Sequence, residues 1–168
     1  VMADSKHSSK HLPPGTKASG RKGGTWASLN LLPAITNVIE NVLHFTSMTP
    51  VQSATILNFL EHKDVAVEAP TGSGKTIAFV VPILERLLRL PTPLKKNEVG
   101  AMIITPTREL AHQIHDVFTT FLNSINADLP EEDEKRLSVW RLTGGSEEGE
   151  DMKFWRAHGG HIIVATPG

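Results

Sequence analysis

The residues best suited to chemistry are concentrated in one stretch of the chain, 67–76, which reads VEAPTGSGKT. An apolar alternation runs into glycines and then into Lys-Thr at the head of an apolar segment. Gly72 and Gly74 lack a Cβ, so the backbone can curl and point its N–H groups inward, where a helix N-terminus also favours an anion. Lys75 can reach the β- and γ-phosphates of a nucleotide, and the Thr76 hydroxyl can ligate Mg²⁺. The stretch therefore predicts a phosphate-binding loop.

Strand-like and helix-like segments alternate around this loop. The apolar periodicity predicts helices over 32–45, 49–60, 74–90, 107–122 and 147–158. Short apolar runs predict strands over 63–69, 99–105, 138–145 and 159–168. Such an alternation predicts an α/β fold, with a parallel sheet and helices on both of its faces.

Individual residues indicate where these helices begin and which side they bury. Pro33 suits the first turn of the first helix, and Thr49 suits an N-cap ahead of Pro50. Pro82 lies inside the helix that follows the loop, where a proline can introduce a kink. The apolar residues of the 107–122 helix fall on one face, which we expect to be buried: Leu110, Ile114, Val117 and Phe121.

The composition favours one globular domain of ordinary polarity. The chain has 168 residues, of which 39% are hydrophobic and 21% are charged. It contains no cysteine, which excludes disulfides and cysteine-based metal sites and is compatible with an intracellular, reducing compartment. No apolar run approaches the length of a membrane span. We therefore expect no membrane partner, and we do not expect an oligomer.

The first 24 residues differ from the rest. They carry five lysines and arginines against one aspartate, together with Ser, Gly, Pro and His and almost nothing apolar. This composition predicts a disordered basic tail over 1–24, followed by a folded domain over 25–168. The tail is either a solvated terminus or a weak nucleic-acid or localisation arm.

A family resemblance emerges when the loop is read with four other short motifs. In APTGSGKT, Ala69 replaces the first glycine of the general pattern G-x-x-x-x-G-K-[ST]. This form closely resembles motif I of the DEAD-box RNA helicases, where alanine is usual at that position. FTSMTPVQ resembles their Q motif, PTREL their motif Ia, the double glycine their GG element and ATPG the start of their motif Ib. These motifs occupy 45–52, 106–110, 144–145 and 165–168.

Outside these motifs, Trp26 lies where the family has an isolated upstream aromatic residue. The chain departs from the common Q motif at His44, where the family has glycine, and at Met48, where it has proline. The resemblance covers 26–168, which is nearly everything after the tail.

The resemblance implies a RecA-like P-loop NTPase fold, truncated at its C-terminal end, that binds ATP and Mg²⁺. In the family the Q-motif glutamine hydrogen-bonds the adenine edge and the aromatic residue packs on its ring, roles that fall on Gln52 and Phe45. Lys75 and Thr76 carry the catalytic roles, and Thr76 holds the metal. The implied nucleotide site consists of Phe45, Gln52, Ala69, Thr71, Gly72, Ser73, Gly74, Lys75 and Thr76.

The remaining motifs imply binding of single-stranded RNA. They follow strands, and loops at the carboxyl ends of parallel strands are where open sheets bind ligands. In the family they grip the sugar–phosphate backbone, which is blind to base sequence, so RNA binding is expected to be sequence-tolerant. The implied RNA site consists of Pro106, Thr107, Arg108, Gly144, Gly145, Thr166, Pro167 and Gly168.

Within the family, the chain looks most similar to the branch that acts in large ribosomal subunit assembly. The segments MTPVQSATI and GEDMKFWRAHGGHIIVATPG, at 48–56 and 149–168, carry this likeness together with the surroundings of Trp26. The likeness implies a nuclear, nucleolar protein that acts on pre-ribosomal RNA.

Other elements that the family has after these motifs are missing from the 168 residues: the Asp-Glu-Ala-Asp tetrad, the coupling Ser-Ala-Thr motif beyond it and the second RecA-like domain. The resemblance therefore predicts an ATP-dependent RNA helicase as the parent protein, with this piece alone unable to turn ATP over efficiently and marginally stable. One alternative is a natural short form that binds nucleotide or RNA without hydrolysis. A P-loop NTPase of another class is disfavoured, because Gln52 and PTREL have no role there.

Two clusters of polar residues are interpreted as non-functional. His112 and His115 lie three residues apart on a predicted helix, but no third metal ligand accompanies them. The carboxylates of 131–134 are expected to form a solvated loop and not an acid–base pair.

Overall fold

The structure is a computed structural model that describes residues 23–145 and 148–167. Its helices are α1 (Pro33–Asn37), α2 (Pro50–Leu60), α3 (Lys75–Leu88), α4 (Arg108–Ile125) and α5 (Glu148–His158). Its strands are β1 (Ala101–Ile104), β2 (Val139–Leu142) and β3 (Ile162–Ala165). A 3-10 turn spans Trp26–Leu29, and a π turn spans Val38–Val42 directly after α1. Most of the predicted tail, residues 1–22, lies outside the described residues.

The three strands form a parallel sheet in the order β1-β3-β2. Ala101 of β1 and Val139 of β2 both pair with Ile162 of β3, so the strands are in step along their whole length. The carboxyl ends of all three strands therefore meet at one edge of the sheet. The predicted parallel sheet is confirmed.

Helices lie on both faces of this sheet. On one face, α4 packs against β2 and β3, and the side chain of Arg141 reaches His112 of α4. On the other face, α5 places Phe154 and Trp155 against the ring of Trp140. The predicted placement of helices on both faces of the sheet is thus confirmed.

The sheet is only partly covered on the α5 side. Met102 and Ile104 of β1 share that face with Trp140, according to the strand register, and are 61% and 66% exposed. In the described part of the chain, β1 pairs with β3 alone, so its other edge is free.

The predicted strand over 63–69 is wrong for the described residues. This segment connects α2 to α3 without regular secondary structure and joins no ladder. An extended segment becomes a strand only when a neighbour satisfies its N–H and C=O groups, and the sheet here places no strand beside it. Local β-propensity therefore does not suffice to predict a strand here.

The buried face of α4 also differs from the prediction at its first turn. Ile114 and Phe121 are buried as expected and Val117 is half-buried, but Leu110 is exposed. Leu110 lies in the first turn, at the level of the strand ends, where the sheet no longer covers the helix. The residues that α4 buries are Ala111, Ile114, Phe118, Phe121 and Leu122.

The helix starts agree with the local signals. Pro33 is the first residue of α1, and Thr49 caps α2 ahead of Pro50 in a capping box with Gln52. Helix α3 continues through the buried Pro82 without interruption. None of the helices in the described ranges combines the length and the apolar character that crossing a membrane requires.

Candidate nucleotide and nucleic-acid site

The loop at 69–74 turns back on itself before α3 begins. Gly72 and Gly74 both have left-handed backbone conformations, with φ of 77° and 89°, which explains why both positions need glycine. Gly74 is the N-cap of α3, so the free N–H groups of the helix start face the same hollow as the loop. The Ser73 hydroxyl is buried there and has no hydrogen-bond partner among the described residues. The loop therefore fits a phosphate group.

The loop lysine is folded back onto its own loop. The Lys75 ammonium donates to the carbonyl oxygens of Ala69, at 2.6 Å, and Pro70, at 2.7 Å. These two contacts hold a full positive charge at the mouth of the phosphate hollow. The Thr76 side chain follows in the first turn of α3 and is partly exposed, so it is open to a ligand.

The buried side chain of Gln52, only 3% exposed, joins α2 to this loop. Its Oε1 accepts the Thr49 N–H at 2.8 Å, and its Nε2 donates to the Gly74 carbonyl at 3.2 Å. A Cβ at Gly74 would lie 2.5 Å from Nε2, so a side chain there would displace the Gln52 amide. After these contacts, the amide retains one N–H and one lone pair, the donor–acceptor pair that matches the edge of adenine.

Other residues of the predicted nucleotide site are open to solvent. Phe45 is 41% exposed, and its N–H donates to the Ile39 carbonyl at 2.9 Å. Thr71 is exposed in the loop and Ala69 is half-buried. The structure thus brings the Q-motif glutamine and the phosphate loop into contact, although 22 residues separate Gln52 from Gly74.

The second group of predicted residues lies at the carboxyl ends of the strands. The Thr105 N–H donates to the Ala165 carbonyl at 2.8 Å, and the Thr166 N–H donates to the Leu142 carbonyl at 3.1 Å. These main-chain bonds extend the ladder one residue past the strands. The segments that follow β1, β3 and β2 are therefore neighbours, and they carry the PTREL, ATP and double-glycine motifs.

Arg108 lies directly beside Gly145. Gly145 has φ of 102°, and a Cβ at that position would lie 2.9 Å from Nη1 of Arg108. Glycine thus leaves room for the guanidinium to lie along the backbone. Thr107 caps α4 by accepting the Leu110 N–H at 3.2 Å, and Pro106 and Arg108 on either side are exposed. Pro167 is also exposed, Gly144 and Thr166 are half-buried, and Gly168 lies outside the described residues.

The family described as DEAD/DEAH box helicase matches residues 49–168 of the chain, which is more than half of its length. The chain belongs to this helicase family. The match includes the phosphate loop and all three strand ends, so the residues placed above lie within the shared domain.

Individual relatives agree with the family. The chain is 52% identical over 147 residues to "ATP-dependent RNA helicase DDX55" of Xenopus laevis. The aligned region covers 86% of this chain and 23% of that protein. It is 41% identical over 176 residues to "ATP-dependent rRNA helicase spb4" of Aspergillus niger, covering 93% of this chain and 26% of that protein. The chain therefore spans about a quarter of the length of these relatives.

Solved structures support the fold. The crystal structure of the yeast DEAD-box splicing factor Prp28 matches with a TM-score of 0.75 at 32% identity, over 92% of this chain and 36% of that one. A DEAD box protein from the hyperthermophile Methanococcus jannaschii matches with a TM-score of 0.66 at 30% identity, over 86% and 35%. The expected RecA-like architecture of a DEAD-box helicase domain is confirmed.

One residue that helps to build the strand-end surface of this helicase domain was not predicted. The Thr105 side chain is buried, and its hydroxyl reaches the carbonyl of Thr107 at 3.0 Å and that of Ala165 at 3.4 Å. It therefore links the first and last of the three strand-end segments. The available signal was a hydroxyl residue at the end of the apolar run VGAMII, immediately before PTREL.

Glu109, next to Arg108 at this surface, is a carboxylate whose acidity is changed. A hydrogen bond to its own backbone N–H, and one with Thr107, lower the pKa of Glu109 below its usual value, and Arg108 adds to the effect. Glu109 therefore stays ionised beside the arginine. It balances part of the positive charge that an incoming phosphate would meet.

The histidines of α4 have protein partners. His112 Nδ1 lies 2.6 Å from Nη1 of Arg141, and His115 Nδ1 lies 3.5 Å from the Asp116 carboxylate. Within 23–145 and 148–167, no three side chains of the metal-ligating types come together as a metal-binding group.

Proposed function

We propose that this helicase domain binds ATP with Mg²⁺ at the phosphate loop and grips the backbone of one RNA strand at the carboxyl edge of its sheet. The observation that carries the nucleotide half is the Gln52–Gly74 hydrogen bond of 3.2 Å. It joins a side chain able to read adenine to a loop able to hold phosphates, so one ligand with both parts can span them.

The chemistry of the loop supports ATP as that ligand. The Lys75 ammonium can leave the carbonyls of Ala69 and Pro70 for the β- and γ-phosphates, exchanging dipoles for full negative charges. Thr76 would hold the magnesium ion, which neutralises charge on the transferring phosphoryl group when it is bound. Phe45, half-open to solvent, offers a face on which the adenine ring can stack.

The strand-end geometry supports RNA as the second ligand. Arg108 offers a charged fork, Gly145 a main chain without a side chain, and Thr166 a hydroxyl, all at one edge of the sheet. These groups suit phosphate and sugar oxygens and read no base edge. We therefore propose that RNA binding is sequence-tolerant.

For the whole protein we propose ATP-dependent RNA helicase activity on pre-ribosomal RNA in the nucleolus. The relatives named as RNA and rRNA helicases support this proposal, but they are about four times as long as the chain. We assign ATP hydrolysis to the complete protein and nucleotide and RNA binding to the 168 residues. A short form that binds without hydrolysis is the alternative, and it predicts nucleotide binding with no RNA-stimulated turnover.

The nucleotide half can be tested by competition. Labelled ATP is bound to the full-length protein, and unlabelled ATP, GTP and UTP are added in turn. ATP is expected to compete best, because another base would leave the buried polar groups of Gln52 unpaired, at a cost on the order of 1–3 kcal/mol. Equal competition by all three nucleotides would rule out adenine recognition. Crosslinking of the tagged protein to cellular RNA, with imaging of the same protein, tests the proposed RNA and compartment.

A further inference from the structure

Residues 24–52, which we call the adenine strap, touch α3 at two separate places. At one end of the strap, Gln52 donates to the Gly74 carbonyl at the start of α3. Earlier in the strap, the Leu32 N–H donates to the Glu85 carboxylate near the end of α3. Eleven residues of helix separate Gly74 from Glu85, which corresponds to about 16 Å along the axis. The strap is therefore fastened along most of the helix that carries the phosphate loop.

The fastening at Glu85 is built from several polar contacts in a buried place. Glu85 is 2% exposed, and its two carboxylate oxygens lie 2.9 and 3.1 Å from the Leu32 nitrogen. Arg89, one turn further along α3, donates from Nε to Glu85 at 2.5 Å and from Nη2 to the Asn30 carbonyl at 3.0 Å. The pair thus holds both the N–H and the C=O side of the strap backbone.

A buried carboxylate at this position is not explained by packing alone. Taking a charge out of water is unfavourable unless it is paired and hydrogen-bonded, and an apolar residue of similar size often stabilises a core as well or better. What the carboxylate adds is a directional hydrogen bond, because it accepts one particular N–H of the strap, that of Leu32. It therefore holds the strap in one position on α3.

The fixed point at Leu32 leads to Phe45 through consecutive main-chain bonds. Leu32 is the N-cap of α1, and its carbonyl accepts the N–H groups of Ile35, at 3.0 Å, and Thr36, at 3.1 Å. The π turn follows α1 directly, and its Ile39 carbonyl accepts the Phe45 N–H at 2.9 Å. The start of α1 is therefore linked through the main chain to the backbone of Phe45.

The other end of the strap is fixed beside Gln52. The Met48 N–H donates to the Gly24 carbonyl at 2.9 Å, immediately before the cap residue Thr49. The 3-10 turn with the buried Trp26 connects this contact to Asn30, where Arg89 binds. Both adenine-site residues are thus tied to the Glu85–Arg89 pair by short stretches of ordered chain.

We propose that Glu85 is a positioning residue for adenine recognition. Its carboxylate, together with Arg89, sets the adenine strap on α3 so that Phe45 and Gln52 stand in register with the phosphate loop. This role rests on the proposed function of the loop. It adds a determinant of base selectivity at the opposite end of α3 from the ligand, outside the family motifs in the sequence.

The test compares base selectivity with phosphate binding in the full-length protein. The affinities of ADP, GDP and inorganic tripolyphosphate are measured for the wild type and for Glu85→Leu, with the urea unfolding midpoint of each protein. Losing the fixed point is expected to lower the ADP-over-GDP preference roughly five- to tenfold, as for the loss of one well-placed hydrogen bond. Tripolyphosphate affinity is expected to stay unchanged, because the loop itself is not altered.

Two variants separate positioning from stability. Leu84→Ala removes a fully buried neighbour on α3 and is expected to lower the unfolding midpoint while leaving the ADP-over-GDP preference intact. Arg89→Met replaces a half-exposed side chain, so it serves as the test variant if Glu85→Leu does not fold. It is expected to lower the ADP-over-GDP preference about threefold.

The outcomes are distinct. A selective wild type whose preference survives Glu85→Leu or, where that variant does not fold, Arg89→Met would overturn the positioning role alone. The same holds if Leu84→Ala lowers the preference as much as Glu85→Leu does. A wild type that binds ADP and GDP equally would overturn the proposed adenine site, and the positioning role with it.

Discussion

The phosphate loop at 69–76 is held in shape by side-chain hydrogen bonds, whereas the strand-end surface is held in shape mainly by main-chain pairing, to which the Thr105 hydroxyl adds. In the loop, Lys75 and Gln52 each bind carbonyl oxygens of the loop or the helix start. At the strand ends, Arg108 is exposed and its position follows from where β1 stops and α4 begins. A change of one side chain should therefore alter the shape of the loop more than that of the surface.

This contrast also predicts how the two sites respond to substitution. Loop variants should lose nucleotide affinity and keep RNA affinity when each ligand is measured without the other. Strand-end variants should do the reverse. A variant of either group that weakens both ligands equally would show that the two regions are not built independently.

The largest effect is expected for Lys75→Ala. The ammonium is the only full positive charge that the loop offers, so nucleotide affinity should fall roughly 10- to 100-fold, the equivalent of about 1.5–3 kcal/mol. Isothermal titration of the wild type and the variant with ATP–Mg²⁺ measures this loss of affinity. Lys63→Ala is the control, since Lys63 is exposed and paired with Glu61. Unchanged affinity in Lys75→Ala would contradict the assignment of the loop.

Gln52→Ala is expected to act next most strongly, and in two ways. It removes the amide that is proposed to read adenine and also the contacts to Thr49 and Gly74, so the ATP-over-GTP preference should fall about tenfold and the unfolding midpoint should drop. Gln113→Ala, at an exposed glutamine of α4, should change neither. An unaltered preference in Gln52→Ala would show that base selectivity lies elsewhere.

Arg108→Ala should weaken RNA binding by roughly three- to tenfold on unrelated single strands, because the guanidinium is proposed to bind phosphate. The slope of log affinity against log salt should become shallower by about 1. Fluorescence anisotropy with two RNAs of different sequence measures both. Weakening on one sequence alone would indicate that a base contact had been missed.

The smallest effect concerns His161, which lies away from both sites. Burial lowers its pKa, and this outweighs the opposite influences of the Lys95 backbone and Glu98. Its Nδ1 accepts the Ser138 N–H at 3.1 Å, which requires an unprotonated Nδ1. The unfolded chain therefore binds the proton more readily, so this contribution to stability is present above the unfolded pKa and is lost as the pH falls through the lower folded pKa.

Urea unfolding of the wild type and His161→Gln at about pH 7.5 and about pH 5.5 measures this contribution. The midpoint of the wild type should fall more on acidification than that of the variant. An equal fall in both proteins would mean that other groups account for the acid sensitivity.

The two regions also differ in how far the sequence predicts them. The tight turn at Gly72 and Gly74 and the cap at Thr49 are local patterns, since the residues that build them are a few positions apart, and the backbone forms both as expected. The parallel order of the strands followed from the alternation of elements. The family resemblance, and not spacing, placed Gln52 and Gly74 in one site, whereas the hydrogen bond between them was not predicted.

What the sequence did not predict depends on distant partners. The 63–69 segment has the composition of a strand, but pairing depends on a neighbour that composition does not show. Leu110 matches the periodicity of α4, yet the sheet ends before reaching it. Glu85 meets Leu32 across 53 residues, and no local pattern indicates that a glutamate in an apolar helix binds a backbone N–H so far away.

The folded-back Lys75 has a consequence for competing ions. Because its ammonium already donates two of its three N–H groups to the Ala69 and Pro70 carbonyls, an approaching anion finds only one of them free. Chloride and acetate carry a single charge, so they gain little from one donor in exchange for the water that they lose. A chain of phosphates carries several charges and meets the helix start as well. The loop should therefore stay free of the abundant small anions around it and remain available to nucleotide.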